Sequence, residues 1–123
     1  MKTTGVGWVG LWVPVVVVAG AILCLSVLRQ PLGGITVVPH ADKLGHLVAY
    51  GVLGFLLARA VGARGSASAA AVAAVVWASA YGGALEVVQP LAGRTADFLD
   101  LAADVIGAAG AVGVWFVVRR PGR

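Results

Sequence analysis

Asp42, His46 and Tyr50 recur every four residues, and Asp97, Asp100 and Asp104 follow at steps of three and four. On helices, each set would line one stripe. Glu86 and Gln89 stand three apart, with Arg94 five residues further on. An imidazole at the level of several carboxylates is an acid/base constellation. A guanidinium such as Arg94 can grip a carboxylate or a phosphate bidentately. Four of the chain's five acidic residues fall between Glu86 and Asp104.

The elements that must position these groups are apolar. Of 123 residues, 60% are hydrophobic and 11% charged, and the mean hydropathy is +0.97. A soluble domain has about a quarter of its residues charged, so composition places this chain in a membrane. Nine basic residues, scattered along the chain, form no phosphate-tracking patch, which excludes nucleic acid as a partner. The single Cys24 has no intrachain partner and sits within an apolar run, where packing is its expected role.

A helix needs roughly 20 apolar residues to cross a bilayer. The 26 uncharged residues between Lys2 and Arg29 supply the first span, and they are too long for a signal peptide's apolar region. The reading is an all-α, four-helix transmembrane bundle in a single domain, with spans at about 7–28, 43–61, 67–88 and 97–118. Arg64-Gly65-Ser66 makes a tight turn between spans two and three, and Pro90 ends the third helix. Four spans put both termini on one side. That side carries six basic residues against three, so the positive-inside rule gives N-in and C-in. The Arg119-Arg120-Pro121-Gly122-Arg123 tail is part of that orientation signal. All five acids and both histidines then lie toward the outer face.

Depth separates the acids. Asp104 is fifteen steps from Arg119, or roughly 22 Å of helix. That is less than the hydrocarbon thickness of roughly 30 Å, so Asp104 lies beneath the outer interface. Glu86 and His46, measured from the Arg64–Ser66 turn, reach similar levels. Asp97 and Asp100 have a structural explanation in the first turn of a helix capped by Thr95. Asp104 lies too deep for that and must be neutral, paired or part of a site. These levels predict an outward-opening polar pocket between spans two, three and four. Its candidate binding residues are Asp42, Lys43, His46, Tyr50, Glu86, Gln89, Arg94, Asp100 and Asp104.

Each candidate also has a plainer reading. Arg94 is expected to clamp Glu86 or Asp100, and it can present donors to a ligand while doing so. Lys43 reads as an interfacial anchor. His46 fits a bundle hydrogen bond, a proton-transfer group or a metal ligand. Glu-x-x-His pairs are absent, so no metal site and no cofactor are read. Tyr50 and Tyr81 either reach the pocket or satisfy their hydroxyls at helix contacts. Trp77, in mid-span, reads as packing. Ala103, Gly107 and Ala111, with Gly110 and Gly113, give the fourth span a small-residue surface for close helix approach. His40, in the first loop, has no evident partner.

Across residues 40–113 the ordered set resembles the VanZ-like family of small membrane proteins. The matching pieces are Asp42-Lys43-x-x-His46-x-x-x-Tyr50, Glu86-x-x-Gln89, Gly93-Arg94, Asp100 and Gly107. Four residues after the final Asp the family often carries Asn, where this chain has Asp104. The resemblance implies a cell-envelope role in a bacterial plasma membrane, because the name-giving member is associated with resistance to the glycopeptide teicoplanin. The expected partners are membrane lipids and a lipid-linked envelope precursor or lipoglycopeptide. Nothing in the sequence excludes a homo-oligomer. The alternatives are an enzyme acting on lipid head groups, for which no motif supplies a nucleophile, and a small transporter. The transporter reading is weakened by a first span with no ionisable residue.

Overall fold

The computed structural model describes residues 7–27, 41–88 and 98–119. Four helices account for nearly all of them: α1 (Trp8–Val27), α2 (Ala41–Gly62), α3 (Ala67–Val88) and α4 (Phe98–Val118). The protein is an all-α four-helix bundle, and every helix is long and apolar enough to cross a membrane. The helix bounds fall within two residues of those read from the sequence. In an apolar medium each backbone polar group must be satisfied within its own helix, which is why so hydrophobic a chain is helical throughout these segments.

The Arg64–Ser66 turn forms as expected. The Arg64 N–H donates to the Val61 carbonyl at 3.4 Å. Ser66 caps α3, its hydroxyl accepting from the Ala69 N–H at 3.1 Å. At the same end Arg119 donates to the Gly62 carbonyl at 2.8 Å, satisfying one of the acceptors left over where α2 stops. Its guanidinium also lies over the Trp115 ring, 5.5 Å from the centroid.

Helix packing is asymmetric. α2 and α4 pack most extensively on each other, and α3 lies against both. α1 packs on α2, only touches α3, and among the described residues does not meet α4. Small residues make the α2–α4 approach close. A Cβ placed on Gly54 would lie 3.1 Å from the Ala108 Cα, and one on Gly51 would lie 3.3 Å from the Gly107 carbonyl oxygen. A Cβ on Gly107 would run into the Leu47 carbonyl group. The α4 surface is narrower than the sequence suggested. Gly110 and Gly113 have open space around them and do not contribute to the contact.

Apolar side chains also cover the outside. Val13, Val17, Trp77, Phe98, Val114 and Val117 are all at least half exposed. Trp77 is therefore not packing, as its mid-span position had suggested; it is 66% exposed. Cys24 is exposed as well, rather than packed. Lipid tails accept an indole, a thiol or a valine as readily as a protein core does, so hydrophobicity alone does not turn these residues inward.

Candidate functional site

Ionisable side chains meet where α2 and α4 are closest. His46, one turn before Tyr50 on α2, faces Asp104 on α4. Its Nδ1 is 2.7 Å from Asp104 Oδ1. The other ring nitrogen, Nε2, lies 3.6 Å from Asp100 Oδ2, one helical turn away along α4. Lys43 Nζ is 3.1 Å from Asp100 Oδ1, a charge pair by distance whose angles are not those of a hydrogen bond. Glu86, on α3, stands one helical turn beyond Gly82, which packs against Asp104 and the Tyr50 ring.

Accessibility differs across these charges. Side-chain exposure is 1% at Asp104, 10% at Asp100, 19% at His46 and 25% at Lys43. Asp104 is the most enclosed of the four and Lys43 the most exposed. A neutral imidazole can donate from Nδ1 to Asp104 and keep a lone pair on Nε2. Taking up a proton turns Nε2 into a donor on the side of Asp100. This arrangement can hold a proton, pass it between two carboxylates, or present a mixed set of donors and acceptors to a polar ligand.

Aromatic rings and glycines shape the floor of the cluster. The His46 and Tyr50 rings are nearly parallel, with centroids 6.2 Å apart and an interplanar angle of 2°. Tyr50 leads on to Tyr81 at 6.5 Å. Tyr81 does not place its hydroxyl in the cluster. It donates to the Ala19 carbonyl of α1 at 2.5 Å. Gly82 makes room for Asp104, since a Cβ there would lie 2.6 Å from Asp104 Oδ2 and 3.3 Å from the Tyr50 ring.

The structure brings together Lys43, His46, Tyr50, Asp100 and Asp104, with Glu86 close by. Gln89, Arg94 and Asp97 lie outside the described residues, as do Thr95, His40 and the side chain of Asp42. Two placements add to what was expected. Lys43 is a partner of Asp100 rather than only an interfacial anchor. Asp100 stands in the first turn of α4, as read, and is in addition buried, 7% exposed. The signal for both lay in the sequence: Lys43 and His46 are three apart on α2, so the two together can straddle a single carboxylate on α4. Among the described residues, no group of three metal-ligating side chains is arranged to hold an ion.

The fold and site define a multi-helix bundle of membrane-spanning length with an ionisable cluster buried between α2 and α4. Comparison with models of known protein families, with curated proteins and with solved structures finds no match.

Proposed function

We propose that the chain is a VanZ-like integral protein of a bacterial plasma membrane, oriented N-in and C-in, whose polar cluster receives the head group of an envelope amphiphile from the outer face. The amphiphile is a lipid-linked precursor or a lipoglycopeptide of the teicoplanin class. The observation that carries this reading is the cluster of Asp104, His46, Asp100 and Lys43, enclosed at Asp104 and most exposed at Lys43. Ionisable groups are costly at membrane depth, and two helices, α2 and α4, supply this set. A purely structural clamp would need only the buried pair; the Lys43 end, 25% exposed, is what a polar ligand could approach. Arg94 and Gln89 belong to the same proposed face by sequence.

The test is expression in a teicoplanin-susceptible Gram-positive host. The wild-type chain is expected to lower susceptibility. Glu86→Gln, Asp100→Asn and Asp104→Asn should lose that effect at equal membrane abundance. Variants that protect as well as the wild type would remove the cluster from the function. A wild-type chain without any effect on this drug or on lipid-linked precursor binding would remove the function itself.

A second reading rests on the placement of His46 between two carboxylates. That geometry suits proton transfer, either in an enzyme acting on lipid head groups or in proton-coupled transport. Purified protein that turns over a lipid-phosphate panel, or moves protons in vesicles in a His46-dependent way, would favour it over simple binding.

A further inference from the structure

Because α1 packs on α2 but only touches α3, the three helices leave a wedge between them. This is an apolar groove of about 410 Å³, lined by Trp12, Val15, Leu53, Leu57, Val61 and Trp77 among others. Ligand sites commonly fall in the range of roughly 300–1,000 Å³. The groove runs along α1 from Trp12 toward Ala19, seven residues or roughly 10 Å of helix. Its inner end is closed by the hydrogen bond from the Tyr81 hydroxyl to the Ala19 carbonyl, which ties α3 to α1. At its other end the lining reaches Val61, next to the α2–α3 turn.

Charge distinguishes the two ends of the bundle. Exposed Arg64 follows Val61 by three residues, and its backbone N–H donates to the Val61 carbonyl. Exposed Arg119 donates to the carbonyl of neighbouring Gly62. Among the described residues the carboxylates, Glu86, Asp100 and Asp104, all belong to the opposite end. The turn that follows the groove's Val61 end thus carries an exposed arginine, Arg64, and the groove's walls are apolar.

We propose that this groove holds one acyl chain of an anionic glycerophospholipid, with the phosphate at Arg64 and the chain directed toward Tyr81. The lipid belongs to the leaflet on the side of the α2–α3 turn. The site is separate from the polar cluster and does not depend on what that cluster binds. An acyl chain fills an apolar wedge that α1 and α3 do not close. An anionic head group complements exposed Arg64 at the α2–α3 turn, since each cation near a lipid surface favours anionic lipid.

The experiment uses the full chain purified in detergent, with phosphatidylglycerol and phosphatidylcholine of identical acyl chains as probes. Native mass spectrometry should show one retained phosphatidylglycerol, preferred over phosphatidylcholine by about fivefold. Arg64→Gln should abolish the preference, Val61→Phe should reduce retention of both lipids, and Asp104→Asn should change neither. If Val61→Phe fails to fold, as judged by helicity and elution profile, quenching in the wild type decides. Phosphatidylglycerol brominated in mid-chain should then quench tryptophan fluorescence with saturation at one equivalent. Equal retention of the two lipids, unsaturable quenching, or Val61→Phe retaining phosphatidylglycerol like the wild type would each overturn the proposal. So would occupation of the groove by a second copy of the chain, seen as a dimer that Val61→Phe dissociates.

Discussion

Gly107→Ala is expected to push α2 and α4 apart. A Cβ built on Gly107 lies 2.9 Å from the Leu47 carbonyl carbon and 3.1 Å from its Cα, and closer still to the carbonyl oxygen. Carbon atoms in contact prefer roughly 3.5–4.0 Å, so the helices must part by about an ångström to admit it. No side chain can rotate away, because all three atoms met are backbone. Overpacking of this kind costs about 1–3 kcal/mol, and the backbone contact puts Gly107 at the upper end. The displacement also reaches the site. Leu47 adjoins His46 and Gly107 follows Asp104 by three residues, so the bond of 2.7 Å between His46 and Asp104 stretches with the helices. Gly110→Ala is the control, since a Cβ there meets nothing within 4 Å. Both substitutions gain the same helix propensity, about 1 kcal/mol at most. Their difference therefore isolates the packing cost, and about 2–3 kcal/mol is expected. Reversible unfolding in mixed micelles, followed by helicity, measures it. Equal stabilities for Gly107→Ala and Gly110→Ala would refute the close α2–α4 approach.

The same logic applies one helix over. Gly82→Ala should destabilise by about 1–3 kcal/mol by driving the buried Asp104 carboxylate off its position, whereas Gly83→Ala, with open space at its Cβ, should not; unfolding of the pair in micelles distinguishes them. Tyr81→Phe removes the tie to the Ala19 carbonyl and should cost about 0.6 kcal/mol, the usual size of an interhelical hydrogen bond in a membrane protein. Because α1 has little other contact with α3, the loss should appear as faster proteolysis or hydrogen exchange of α1 alone; unchanged exchange there would show that α1 is held by other means.

Element lengths were readable from the sequence because membrane thickness sets them, and a helix's rise converts residue counts directly into depth. That conversion also set His46 and Asp104 at similar depth, and in the structure they are in contact. Azimuth was harder to read. In a soluble bundle the apolar stripe marks the inward face, but here both faces are apolar. Trp77 could not be assigned to the lipid side, nor could Gly107 be told from Gly110 as a contact glycine. Polar residues were the exception, because membrane depth leaves them few directions to face. For Lys43 the sequence offered two reasonable roles, and the choice turned on how close Asp100 comes to α2. The long aliphatic arm of a lysine reaches an interface or a neighbouring carboxylate equally well.

The ion-paired core between α2 and α4 is tested most directly by a double-mutant cycle on His46 and Asp104, using Ala at each position and unfolding free energy in micelles. A hydrogen bond involving a charged group should give a coupling of about 1.5–3 kcal/mol, with Asp104→Ala costing less once His46 is gone. Additive single effects, agreeing within about 0.5 kcal/mol, would contradict a direct His46–Asp104 interaction and with it the site as described.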